Sequence, residues 1–140
     1  VLQELMPLAL AKGQDIGVAV ENDCQIHADD TEIYTLIKTF TDNAIRYTPK
    51  GGRIDLGFDE TAEYLNIWVE DNGPGIPLSE RQRVIDPFYR ILGTEQQGTG
   101  LGLSIANTIV KRHQGRLKLA DSRRFDSGLL IIAELDKKTL

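Results

Sequence analysis

Over residues 31–69 the spacing of apolar residues changes period, and that change limits the folds open to the chain more than any other feature. Ile33, Leu36, Ile37, Phe40, Ala44 and Ile45 recur at helical intervals and line one face of a helix. Pro49 and Gly51-Gly52 stop it. Ile54, Leu56 and Phe58, then Leu65, Ile67 and Val69, alternate with other residues, the period-two signature of half-buried strands joined as a hairpin. Around this centre the patterns predict an opening helix over residues 2–10 that stops at Gly13, and short strands at 16–20 and 25–28. They also predict a polar helix near 79–85, a loop over 86–100, a helix over 101–113 and closing strands at 117–119 and 129–135. Strands and helices mix without strict alternation, so the economical architecture is α/β, a two-layer sandwich with a mixed, mostly antiparallel sheet and helices on one face. No repeat or linker divides the sequence, and residues 1–140 read as a single domain.

Composition narrows the function classes. A chain of 140 residues buries roughly 70% of the surface its unfolded form exposes, enough for a core without staples. Sixteen Lys and Arg against 21 Asp and Glu give a formal net charge of -5, spread along the chain. A nucleic-acid partner, which needs a concentrated basic face, is therefore not expected. The single cysteine, Cys24, excludes an intrachain disulfide and a multi-cysteine metal site, and reads as a packing residue. The longest apolar run, residues 129–133, is far shorter than the roughly 18 residues of a membrane span. No signal-peptide pattern opens the chain, and a soluble fragment is expected.

Two glycine clusters carry the chemical interest: Asp71-Asn72-Gly73-Pro74-Gly75-Ile76 and Gly98-Thr99-Gly100-Leu101-Gly102-Leu103. Neither is a P-loop, which needs a lysine and a hydroxyl directly after the last glycine; the first lysine beyond Gly98 is Lys111. Neither is a dinucleotide fingerprint, because the second cluster reads G-x-G-x-G and follows a polar stretch rather than a strand. Glycines that open a helix still leave backbone N–H groups at its positive end, where proteins hold phosphate. Each cluster alone is adequately explained as turn punctuation. A third element, Asp42-Asn43-Ala44-Ile45-Arg46-Tyr47, places Asn43, Arg46 and Tyr47 on one polar helix face, opposite Leu36, Phe40 and Ala44. Alone it reads as a solvated surface.

Taken in order, the helix ending in Asn43 to Thr48, then Asp71-x-Gly73-x-Gly75, then Pro87-Phe88-Tyr89-Arg90, then Gly98 to Leu103, resembles the catalytic ATP-binding domain of sensor histidine kinases. Behind that family stands the wider GHKL superfamily of gyrase, chaperone and mismatch-repair ATPases. The resemblance covers about residues 29–128 and implies the Bergerat-type ATP-binding fold. It implies that Asn43 gives its side-chain oxygen to Mg²⁺, a hard cation suited to oxygen ligands, and that Arg46 and Tyr47 face the phosphates and lid. Asp71 matches the carboxylate that accepts a hydrogen bond from the adenine amino group. Gly73 and Gly75 let the backbone approach the base, and Ile76 walls its pocket. Phe88 anchors a lid over residues 89–97, Arg90 contacts phosphate, and Gly98, Thr99, Gly100, Leu101, Gly102 and Leu103 form its hinge and phosphate cradle.

The same resemblance implies an enzyme, a protein-histidine kinase that binds ATP and Mg²⁺ and transfers the γ-phosphoryl group to a histidine. That histidine belongs to a separate, dimeric phosphoacceptor domain of the same kinase, with a response regulator downstream. The domain would lie on the cytoplasmic side of a bacterial inner-membrane sensor, itself outside the membrane. There are departures. Thr39 stands where many members carry another asparagine, Leu129 and Leu130 replace polar residues expected after the final glycine, and Gln114 replaces the first glycine of a His-Gly-Gly pattern. Thr39 also lies one helical turn before Asn43, where related ATPases place a water-activating glutamate; a threonine is no such base, so fast hydrolysis is not expected. His27 and His113 lack the acidic neighbour of a phosphoacceptor and read as structural. Two competing readings are a degenerate nucleotide-sensing module that acts by docking, and an ATPase clamp of the gyrase or chaperone type.

Overall fold

A computed structural model of the chain describes residues 7, 9–20, 30–81 and 102–139. Five strands form one sheet: β1 (Asp15–Val20), β2 (Arg53–Glu60), β3 (Tyr64–Asp71), β4 (Arg116–Asp121) and β5 (Leu129–Asp136), in the order β1-β2-β3-β5-β4. β1 runs parallel to β2, and every other pairing is antiparallel. The two long helices are α1 (Asp30–Tyr47) and α2 (Gly102–Arg112). Short 3-10 turns cover Leu78–Glu80 and Lys137–Thr139. Of the polar helix expected near residue 79, the described part holds only the first of these turns; the strand expected at 25–28, Cys24 and His27 lie outside the described residues.

Register explains the core. Leu56, Val69 and Ile131 lie side by side across β2, β3 and β5, as do Phe58, Ile67 and Ala133. Alternate residues project to one face, and these pack in one cluster with Ile33, Leu36, Phe40 and Ala44 of α1 and Leu103, Ala106, Ile109 and Val110 of α2. Both helices therefore cover the same face. Phe40 is fully buried; truncating such a side chain to alanine costs about 3–5 kcal/mol. On the other face of the sheet Arg53 bridges Asp15 and Asp55, and Lys118 reaches Glu134.

The end of α1 is held by long-range contacts and that of α2 by a local cap. The last carbonyls of a helix lack intrahelical partners. At the end of α1, Lys12 Nζ donates to Ile45 O at 2.7 Å and Gln14 Nε2 donates to Thr48 O at 2.7 Å. The helix that carries Asn43, Arg46 and Tyr47 is thus fixed by the turn leading into β1. α2 ends in a Schellman motif: Gly115 N donates to Val110 O at 2.9 Å, Gln114 N donates to Lys111 O at 3.1 Å, and Gln114 takes φ 51°. Here the glycine missing from the expected His-Gly-Gly pattern has a structural meaning, because position 114 is the left-handed residue of the cap.

Candidate functional site

Asp71 is the last residue of β3 and is only 4% exposed. It lies on the helix-covered face, opposite Ile54 of β2. Its Oδ1 accepts hydrogen bonds from Gly73 N at 2.9 Å and from Leu129 N at 3.3 Å. Among the described residues, no donor reaches Oδ2. Burial raises the carboxyl above its ordinary pKa, the bonds from Gly73 and Leu129 pull it down, and the charge of Glu70 adds to the rise. The result is a buried acceptor with one oxygen fixed by the backbone and the other available.

The first glycine cluster is shaped by its neighbours in the protein. A Cβ on Gly73 would lie 2.9 Å from Tyr47 O and 3.1 Å from Asp71 Oδ1. The loop after β3 therefore presses directly on the end of α1, which brings Asp71 and the Asn43 helix together. Gly75 takes φ 74°, a left-handed conformation suited to glycine. Ile76 is buried in the core cluster, where its apolar side chain can wall a cavity beside this loop. A groove of about 410 Å³ runs between residues 74–78 and the β4–β5 turn. Neither Asn43 nor Asp71 lines it, so it adjoins the carboxylate's site rather than forming it.

On α1 the expected polar face is present. Asn43 and Tyr47 are half-buried, and neither side chain takes a hydrogen bond among the described residues. Arg46 is 39% exposed, and its Nε meets Asp42 Oδ2 at 2.9 Å one turn earlier. An ion pair of this exposure contributes at most about 1 kcal/mol and can be exchanged for a better anion. Among the described residues no group of three or more His, Cys, Asp or Glu side chains forms a metal cluster. An amide oxygen without a partner among the described residues, on a half-buried polar face, fits Mg²⁺ that takes its remaining ligands from water and phosphate.

The other expected positions divide. Gly102 opens α2, and the side chain of Leu103 beside it is buried in the hydrophobic core. Phe88, Arg90, Gly98, Thr99, Gly100, Leu101 and the lid at 89–97 lie outside the described residues. Leu129 was expected to cost the site a polar contact; its side chain is buried, while its backbone amide holds Asp71. His113 is buried between helix ends, with Nδ1 2.8 Å from Thr139 Oγ1 and Nε2 3.4 Å from Glu32 Oε2.

Sequence reasoning missed the β4–β5 turn. Ser127 Oγ donates to Gly73 O at 3.1 Å, and a Cβ on Gly128 would lie 1.8 Å from Asp71 O. The available signal was Ser127-Gly128 before an apolar run, which reads as an ordinary strand-entry turn. Among the described residues, no helix is long and apolar enough to cross a membrane.

Comparison with known proteins bears directly on this arrangement. Residues 28–139 match the family model described as histidine kinase-, DNA gyrase B-, and HSP90-like ATPase. The adaptive-response sensory kinase SasA of Trichormus variabilis is 34% identical over 120 residues, 84% of this chain and 30% of that protein. The swarming motility regulation sensor protein RssA of Serratia marcescens is 31% identical over 131 residues, 93% of this chain and 28% of that protein. The chain thus spans under a third of the length of these relatives. The nucleotide-free catalytic domain of the histidine kinase ThkA superposes with a TM-score of 0.83 at 26% identity, covering 97% of this chain and 88% of that one.

Proposed function

Since the chain belongs to the family of histidine kinase-, DNA gyrase B-, and HSP90-like ATPases, we propose that it is the catalytic domain of a sensor histidine kinase that binds Mg-ATP and phosphorylates a histidine on a separate dimerisation domain. The observation that carries the reading is the buried Asp71 carboxylate, with Oδ1 committed to Gly73 N and Leu129 N. With Oδ1 held this way, Oδ2 accepts from the 6-amino group of adenine and offers nothing to the carbonyl of guanine. Asn43 supplies an oxygen to Mg²⁺, which neutralises phosphate charge when bound. Arg46, released from Asp42, and Arg90 contact the phosphates.

In the transfer, the bond from the γ-phosphorus to the bridging oxygen breaks, a bond to the acceptor imidazole nitrogen forms, and ADP leaves. The protein's part is positioning and electrostatics. Thr39, one turn before Asn43, supplies no base to activate water, which favours the histidine as acceptor. His113, buried against Glu32 and Thr139, is not that acceptor. In the complete protein the domain lies on the cytoplasmic side of a membrane sensor, and a response regulator receives the phosphoryl group. The test is incubation with labelled ATP and Mg²⁺, alone and with a supplied phosphoacceptor domain. Labelling of the added domain only is expected; stable phosphohistidine on this chain, or rapid hydrolysis without an acceptor, contradicts the reading.

A further inference from the structure

We propose that Glu70 is a positioning residue for the adenine-reading carboxylate, acting from the opposite face of the sheet through the β4–β5 turn. The inference rests on the assignment of Asp71 to the base. Glu70 precedes Asp71 in β3, so its side chain projects to the other face, and it is only 3% exposed. A buried carboxylate is costly unless donors surround it. Here they come from one turn: Oε2 accepts from Ser122 Oγ at 2.7 Å, Arg123 N at 2.6 Å and Arg124 N at 3.0 Å.

The two limbs of that turn are joined. Ser122 N donates to Gly128 O at 3.0 Å, and Ser122 Oγ accepts from Phe125 N at 3.1 Å. The first limb is gripped by Glu70, and the last limb delivers Leu129 N to Asp71 Oδ1 and Ser127 Oγ to Gly73 O. Adjacent carboxylates on opposite faces thus hold opposite limbs of one turn. Arg124 also lies over Trp68, 5.0 Å from the ring centroid, and reaches Asp55 at 3.4 Å. Its guanidinium also pairs with Glu70 Oε1 at 3.6 Å, so Glu70 holds this limb both by that charge and by the amides of Arg123 and Arg124. Without Glu70 the limb loses its anchor, Leu129 N drifts, and the orientation of Asp71 that presents Oδ2 is no longer fixed.

The experiment compares binding of ATP with purine riboside triphosphate, the same ligand without the 6-amino group, by calorimetry on variants whose folding is checked by thermal melting. A general loss of stability weakens both ligands alike, whereas a positioning role changes their ratio. The parent chain should prefer ATP at least tenfold, and Asp71→Asn should bring the ratio to about one. Glu70→Ala should compress the ratio at least threefold, and Glu70→Gln, which keeps an acceptor oxygen, should restore part of it. A folded Glu70→Ala variant with the parental ratio overturns the inference. If Glu70→Ala does not fold, Ser122→Ala decides: at least a twofold compression supports the inference and an unchanged ratio overturns it. A parental ratio in Asp71→Asn instead overturns the assignment of Asp71, and the role of Glu70 falls with it. Collapse in Asp71→Asn beside no change at Glu70 refutes the positioning role alone.

Discussion

Leu129 N donates to Asp71 Oδ1 at 3.3 Å, so the first residue of β5 fixes the last residue of β3. The bond depends on how closely the backbones approach, and Gly128 sets that approach. A Cβ there would lie 1.8 Å from Asp71 O, and its φ of 133° suits only glycine. Gly128→Ala should therefore cost more than about 3 kcal/mol, from backbone displacement and strain together. Urea unfolding measures it, and a loss below about 1 kcal/mol would show that the turn can yield.

Asp71→Asn is expected to leave the fold intact and weaken ATP roughly 10- to 100-fold, the range for a charge-assisted hydrogen bond. Gly73 N and Leu129 N are both donors, so the amide of an asparagine must turn its oxygen towards them. Its NH₂ then occupies the place of Oδ2 and faces the adenine amino group, donor against donor. Calorimetry with the same ATP affinity in both chains would remove Asp71 from base recognition.

The same carboxyl predicts a pH dependence. Its pKa is raised above the ordinary 3.8, chiefly by burial. A raised carboxyl binds its proton more tightly in the folded state, so its contribution to stability is fully present below 3.8 and is lost as pH rises through the folded value. Base recognition runs the other way, because the acceptor exists only after ionisation. The ratio of ATP to GTP affinity, in which phosphate titration largely cancels, should fall on acidification with a midpoint above 3.8. Asp71→Asn should abolish the transition. A midpoint at or below 3.8 would assign the step to another group.

How much of this was legible depends on the range of the contacts involved. The helix over 30–47 and the β2–β3 hairpin follow from periods of 3.6 and 2, which residues 33–45 and 54–69 display locally. The parallel pairing of β1 with β2 carries no such mark, because register across a crossover is set by packing. Glu70 occupies an outward position by alternation, and nothing local in the sequence marks it as buried. It is buried because a turn more than fifty residues later folds over it. Leu103 is buried with Ala106 and Val110 at helical spacing, a packing role that its place in a glycine-rich motif does not mark.

For the metal, Asn43→Ala should remove most of the Mg²⁺ enhancement of ATP binding while changing stability by less than about 0.5 kcal/mol, since the residue is half-buried and its amide takes no partner among the described residues. Asp42 is the rival ligand, paired with Arg46 Nε at 2.9 Å until that arginine turns to the phosphates. Asp42→Asn should retain the Mg²⁺ effect. ATP titrations with and without Mg²⁺ on the two variants give opposite patterns if the roles are exchanged.

Two adjacent residues after α2 should respond in opposite senses. Gln114 takes φ 51° as the left-handed residue of the Schellman cap. A residue with a Cβ in that conformation costs roughly 1–2 kcal/mol, whereas glycine adopts it freely but makes the unfolded chain more flexible by about 0.4–1 kcal/mol. Gln114→Gly should therefore stabilise the fold by about 0.5–1 kcal/mol, a rise of a few degrees in Tm. At Gly115 the constraint is space, because a Cβ would lie 1.6 Å from Glu134 O, in the backbone of β5. Gly115→Ala should cost more than about 3 kcal/mol, since neither the cap nor the strand can move without breaking hydrogen bonds. The cap is remote in sequence from Asp71 and Asn43, so ATP affinity should be unchanged in Gln114→Gly. A lower Tm for that variant would show that the Gln114 side chain makes a contribution larger than its backbone strain.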